Sequence, residues 1–108
     1  MPFFENVTVG AFCKIGTGNI FYPCSHLAHH SKVGDYNFFA ISCSIAGLVE
    51  IGNQCFIGNN SSTKNGICLS DRTLVGAGAY VSGDTKEGDV IVPVRSVTLE
   101  KKSEEIAF

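Results

Sequence analysis

A six-residue clock runs through this chain, and few folds can keep it. Glycines at positions 10, 16, 34, 52, 58 and 76 share one phase, and every gap between them is either one six-residue unit or three of them. The residue before each member of that phase is Val9, Ile15, Phe21, Leu27, Val33, Phe39, Ile45, Ile51, Ile57, Thr63, Leu69, Val75 or Val81, apolar everywhere but at Thr63. A composition that is 44% apolar would place about six apolar residues among those thirteen. Two positions earlier runs a second register of mostly small residues: Val7, Cys13, Asn19, Ser25, Ser31, Asn37, Cys43, Val49, Cys55, Ser61, Ile67, Thr73 and Ala79. An α-helical stripe repeats at 3.6 residues and a hairpin meander alternates with period 2 throughout, so neither produces this pattern. A solenoid does: one hexad makes a short flat strand and a corner, and three such sides close a coil. The bulky register then stacks inside, the small one fits where the wall is closest, and glycine is expected at the corners because the turn there asks for φ values that a side chain resists.

The rest of the composition narrows what such a solenoid can do. One hundred and eight residues make one domain, 1–108, read as a solenoid over about 7–82 followed by a terminating turn and tail over 83–108. Eight Lys and Arg against ten Asp and Glu leave a net charge of -2, with no positive field to attract nucleic acid. Apolar runs such as Phe38-Phe39-Ala40-Ile41 fall far short of the ~20 residues of a membrane helix. The start, Met1-Pro2-Phe3-Phe4-Glu5-Asn6, has neither the basic nor the apolar region of a secretion signal, so a cytoplasmic location is expected. The phase fails at Glu87 and Pro93, and the charged residues from Leu99 to Glu105 are expected to form a short cap, helix or strand, over the last coil.

The phase also sorts the reactive side chains. Cys13, Cys43 and Cys55 fall in the small inward register, where a thiol packs as a compact hydrophobe, while Cys24 and Cys68 fall outside it as surface thiols. No cysteine pair has zinc-ligand spacing. His26, His29 and His30 crowd into five residues, off both inward registers, so they project from the wall. Three histidines on a solenoid call for a metal test, but His29 and His30, adjacent on a strand, point opposite ways, and no metal is expected.

The repeat resembles the hexapeptide-repeat, left-handed parallel β-helix, an all-β fold, here of about 4–5 coils; the resemblance covers residues 7–96. Within it, His29-His30-Ser31-Lys32-Val33-Gly34-Asp35-Tyr36 is similar to the H-x-x-x-[VI]-G-[DE]-[YF] signature of bacterial sugar O-acyltransferases, the group that includes sialic-acid O-acetyltransferases and enzymes acting on nucleotide-linked amino sugars. The stretch from Ala46 to Ser61, and then Leu74-Val75-Gly76-Ala77-Gly78-Ala79, continues the likeness.

The resemblance implies an acetyl-CoA-dependent acetyltransferase, a homotrimer whose sites lie between neighbouring walls. It implies His29 as general base and the Gly47 N–H as oxyanion donor, with acetyl-CoA contacts at Phe38, Gly47, Asn59 and Ala77. The acceptor is a sugar amino or hydroxyl group, attacked directly with no acyl-enzyme. Imidazole is the side chain whose ordinary pKa suits that proton transfer at neutral pH. His29 and Gly47 lie three hexads apart, as do Asn59 and Ala77, so each pair should share a corner on adjacent coils. The chain departs from the family in three places. His30 stands where an acidic residue often follows the base, Phe38 stands where a histidine contacts the cofactor, and the G-x-P-A turn appears as Ile91-Val92-Pro93-Val94. Full-length relatives also carry an N-terminal α/β substrate domain, and no G-x-G-x-x-G fingerprint occurs here. Two rival readings stand beside the transferase: a noncatalytic trimeric β-helix scaffold or remnant, and a gamma-type carbonic anhydrase.

Overall fold

The computed structural model describes residues 3–107. Its strands are two residues long: β1 (Thr8–Val9), β2 (Lys14–Ile15), β3 (Ile20–Phe21), β4 (His26–Leu27), β5 (Lys32–Val33), β6 (Phe38–Phe39), β7 (Ser44–Ile45), β8 (Glu50–Ile51), β9 (Phe56–Ile57), β10 (Ser62–Thr63), β11 (Cys68–Leu69), β12 (Leu74–Val75), β13 (Tyr80–Val81) and β14 (Val90–Ile91). They stack into three parallel sheets, in the orders β1-β4-β7-β10-β13, β2-β5-β8-β11 and β3-β6-β9-β12-β14. Register is set by the clock: Thr8 lies opposite His26, Lys14 opposite Lys32 and Ile20 opposite Phe38, each three hexads on. The result is the expected all-β solenoid, a three-walled prism.

Inside, both registers are buried. Phe21, Leu27, Val33, Phe39, Ile45, Ile51, Ile57, Leu69, Val75 and Val81 form the apolar stack, each fully buried side chain of this size contributing about 1.5–3 kcal/mol. Phe21 and Phe39 stack with ring centroids 4.3 Å apart, and Phe3 extends the column from below at 5.1 Å. Coil ends are less covered, and Val9 in the first coil is 39% exposed. The small register tolerates polar residues because the coil supplies partners for nearly all of them, the buried Ser25 hydroxyl being the exception. Buried Asn19 accepts from the Asn37 N–H at 2.9 Å, and Asn37 in turn accepts from the Cys55 N–H at 2.7 Å while donating to the Gly52 carbonyl. A buried amide left without such partners costs roughly 1–3 kcal/mol, so this inner ladder is fully bonded.

The glycine phase has a different cause from the one expected. Positive φ recurs every six residues, but two positions after those glycines, at Phe12, Gly18, Cys24, His30, Tyr36, Ser42, Leu48, Gln54, Asn60, Gly66, Arg72 and Gly78. Most of these are not glycine. Each is the third residue of a turn, the position that is left-handed in type II turns. The phased glycines instead mark close approach of successive coils: a Cβ on Gly58 would lie 2.6 Å from the Val75 carbonyl oxygen and 2.7 Å from the Ala77 nitrogen. Space, rather than backbone freedom, excludes side chains there.

The upper end also differs from the expected boundary at residue 82. β14 pairs with β12 with Leu74 opposite Val90, two positions short of the three-hexad offset kept below. The segment 83–89 therefore closes a further, shortened coil, and Thr85 fills an inward slot, bonded to Thr73 at 2.7 Å and Ser70 at 2.8 Å. The tail does not form the expected cap. Its one helical turn is 3-10, Ser103–Glu105, without a buried residue, and Val94 is 96% exposed. From residue 92 to 107 only Ile106 is partly covered.

Candidate active site

Each coil turns three corners, and equivalent corners stack directly above one another. The corner between β4 and β5 holds His29 and His30, and the coil above places Gly47 and Leu48 over them. The Leu48 N–H donates to the His29 carbonyl at 3.0 Å, and the His30 N–H donates to the Ala11 carbonyl below at 2.9 Å. These bonds hold the corner's backbone and leave its side chains outside. The His29 imidazole lies across the face of Gly47: a Cβ built there would meet Nε2 at 2.8 Å and Cε1 at 2.9 Å. A side chain at position 47 would therefore occupy the volume that the ring fills. The Gly47 N–H has no acceptor among the described residues.

His29 and His30 do not point apart. They sit on a turn, not a strand, and the left-handed backbone of His30, φ 58°, brings the rings edge to face with their Nδ1 atoms 3.1 Å apart. The outer face of His30 stacks on Phe12, one coil below, at 5.1 Å between centroids. Sequence reasoning missed this contact, although the left-handed position falls on the same six-residue clock. His26 lies apart from the pair, outward on β4 between Thr8 and Ser44. Among the described residues, no three His, Cys, Asp or Glu side chains converge as metal ligands.

The other suggested contacts lie elsewhere. Asn59 and Ala77 occupy a different corner, the one following β9 and β12, one coil apart, with the Gly78 N–H bonded to the Asn59 carbonyl at 2.7 Å. Phe38 sits on the wall that runs into that corner, stacked parallel on Phe56 at 5.3 Å and edge-on to Tyr22 at 4.7 Å. One chain thus brings His29 to Gly47, and Phe38 to the neighbourhood of Asn59 and Ala77, but keeps the two groups a wall apart. That intervening wall carries Thr8, His26, Ser44, Ser62 and Tyr80 outward.

The third corner, after β2, β5, β8 and β11, is built differently. The Thr17 N–H donates to Asp35 at 2.9 Å, the Asp35 N–H to Asn53 at 2.7 Å, and the Asn53 N–H to Asp71 at 2.8 Å. A ladder of side-chain oxygens closes three successive amides that the turn leaves open. Beside it, a shallow concavity of about 490 Å³ lies over Lys32, Glu50 and Cys68, away from His29.

The thiols fall into two groups. Cys43 and Cys55 are buried, and burial pushes the Cys43 thiol up to about 12 and raises that of Cys55 as well. Cys68 is exposed, yet local desolvation and the carboxylates of Glu50 and Asp84 raise its pKa, which lowers its reactivity.

Comparison with known proteins agrees with the fold. No protein-family model matches the chain. Chloramphenicol acetyltransferase from Morganella morganii is 26% identical over 118 residues, covering 96% of this chain and 56% of that protein. An acyl-[acyl-carrier-protein]–UDP-N-acetylglucosamine O-acyltransferase from Anaeromyxobacter sp. (strain K) is 33% identical over 88 residues, covering 82% of this chain and 32% of that protein. The chain spans about half the length of the chloramphenicol acetyltransferases that it matches. Among solved structures, a hexapeptide-repeat-containing acetyltransferase from Vibrio cholerae superposes with a TM-score of 0.64 at 14% identity, over 91% of this chain and 73% of that one. No helix among the described residues is long and apolar enough to cross a membrane. The six-residue register and the three-walled parallel coil give the chain the hexapeptide-repeat, left-handed parallel β-helix fold, and in sequence it is similar to hexapeptide-repeat acyltransferases.

Proposed function

We propose that the chain is an acetyl-CoA-dependent acetyltransferase acting on an amino or hydroxyl group of a sugar. The observation that carries this reading is the His29 imidazole lying against Gly47, whose N–H has no acceptor among the described residues. A base and an oxyanion donor on one corner are what direct acyl transfer needs. In that reaction His29 Nε2 takes the proton from the acceptor as its nitrogen or oxygen attacks the thioester carbonyl. The tetrahedral oxyanion accepts from the Gly47 N–H. Collapse breaks the carbon–sulfur bond, and the CoA thiolate leaves with the proton that His29 holds. No acyl-enzyme forms, so no cysteine is required. A relative named for UDP-N-acetylglucosamine supports a sugar acceptor, and one named for chloramphenicol keeps that compound in the test panel.

The working unit in this proposal is a homotrimer. Two features support it. His29 with Gly47, and Phe38 with Asn59 and Ala77, occupy different corners, so a neighbouring copy would complete the site by bringing its acetyl-CoA contacts to the base. One wall is apolar outward, carrying Ile20, Phe38, Phe56, Leu74 and Val90, with Phe56 44% and Val90 61% exposed, a face suited to burial against a copy. The cytoplasm, which supplies acetyl-CoA and keeps thiols reduced, is the compartment this activity calls for.

Thermal unfolding in millimolar acetyl-CoA tests the reading, with transfer assayed on amino sugars, UDP-linked sugars and chloramphenicol. A raised Tm with transfer to a sugar is expected. Neither a shift nor transfer would overturn the proposal in favour of a noncatalytic scaffold, and a shift with zinc but not with CoA would favour a carbonic anhydrase. Sedimentation equilibrium should give three times the chain mass.

A further inference from the structure

We infer that His30 is a positioning residue that fixes the proton of His29 on Nδ1 and leaves Nε2 free as the base. The catalytic consequence rests on the transferase reading above, whereas the pairing rests on geometry alone. Two ring nitrogens 3.1 Å apart hold one proton between them, because two would repel and none would leave two lone pairs facing each other. If His30 were the donor, the His29 proton would sit on Nε2, the atom lying over Gly47, and the base would have no lone pair where the acceptor must come. With His29 as the donor, His30 accepts at Nδ1 and carries its own proton on Nε2, and His29 Nε2 is open. When His29 gains a second proton during attack, its Nδ1–H still donates to neutral His30, so the imidazolium keeps its partner.

The fold holds this arrangement on both sides. The left-handed turn aims the two rings at each other, the His30 N–H is tied to the Ala11 carbonyl, and the Phe12 ring backs the imidazole of His30. His30 thereby supplies an acceptor where the family pattern often places a carboxylate, but as a neutral group. The orientation of the base comes without a negative charge at the corner.

Long-range ¹⁵N–¹H correlation of the histidine rings at a pH where both are neutral reads the tautomers directly. The expected result is an Nδ1–H tautomer for His29 and an Nε2–H tautomer for His30. His30→Phe removes the acceptor, and aromatic residues already occupy this left-handed position at Phe12 and Tyr36, so the turn tolerates it. His29 should then shift toward Nε2–H, and kcat should fall roughly ten- to a hundredfold with the KM for acetyl-CoA unchanged. His30→Asn, which accepts the left-handed conformation and offers Oδ1, should restore both the tautomer and most of kcat. An Nε2–H tautomer of His29 in the wild type, or a tautomer that His30→Phe leaves unmoved, overturns the inference. The expected tautomer in a protein that transfers no acetyl group overturns its catalytic half and the transferase reading, while the pair itself stands.

Discussion

Two corners of the same coil solve the same problem in opposite ways. At the corner of Thr17, Asp35, Asn53 and Asp71, the upper three residues each lend a side-chain oxygen to the amide of the coil below, which closes the amides of Thr17, Asp35 and Asn53. At the corner of His29 and Gly47 the backbone path is the same, with a left-handed third residue in each turn, but glycine offers no oxygen and an imidazole lies across it. The bonded corner is the exception: at the same turn position the amides of Ala11, Ile41, Asn59 and Ala77 have no acceptor among the described residues either. What sets Gly47 apart is the histidine lying against its open amide, which gives an N–H group beside a base, already fixed in direction by the stack and needing no reorganisation to receive a developing charge. A candidate site in such a solenoid is thus found where an open amide and a base share one corner.

Four substitutions test how far this contrast holds. The largest effect is expected from His29→Ala, which should lower acetyl transfer by about 10²–10⁴-fold while keeping the acetyl-CoA thermal shift; equal loss of both would place His29 in binding and not in proton transfer. Gly47→Asn adds one rung of the closed corner to the open one, at the His29 amide, and leaves the amide of residue 47 free. Its Oδ1 should take the His29 N–H as Asn53 takes that of Asp35, and displace the imidazole. Transfer should fall about a hundredfold, and the urea midpoint should rise by an amount equivalent to about 0.5–1 kcal/mol. The reverse change, Asn53→Ala, opens the Asp35 amide to water at an exposed site. Stability should drop by about 1 kcal/mol or less in urea unfolding, with initial rates unaltered.

An effect that vanishes at neutral pH belongs to the inner side of the closed corner, where the Cys55 N–H donates to the Asn37 ladder and burial holds the Cys55 thiol neutral. Because the folded pKa is raised, the unfolded chain gives up this proton first. The stability that the neutral thiol contributes is complete below its ordinary pKa and is lost as the pH rises toward the folded value. Cys43, pushed up to about 12, loses stability in the same direction. Each thiol should contribute a fall of at most about 1.4 kcal/mol per pH unit in that window, and Cys55→Ala should flatten the alkaline limb of a urea-midpoint profile against pH.

Much of this contrast is legible in the order of residues. The inward registers are readable because burial selects side-chain size every six residues, and the one-coil spacing of His29 and Gly47 is arithmetic once a coil is recognised. What the pattern hides is the reason for it. Glycine suggests unusual φ, but the left-handed positions are filled by Phe12, Tyr36 and Leu48, and the phased glycines answer to a neighbouring coil that no single window of sequence contains. The His29–His30 contact is hidden for a related reason. Alternation holds on a strand, and only the turn geometry reveals that two adjacent rings meet. The end of the solenoid lies beyond the expected boundary because a coil shortened by two residues breaks the phase without breaking the sheet.

That shortened coil bears on how the chain tolerates changes in length. Every pairing below it joins residues three hexads apart, so inserting or removing one residue in the lower coils would exchange inward and outward side chains for the rest of the prism. Inserting or removing a whole coil would return each residue to an equivalent seat. The two-residue deficit falls after β13, where little of the stack lies above it to be put out of step. Length variation in this architecture is therefore quantised through its body and free only at its upper rim.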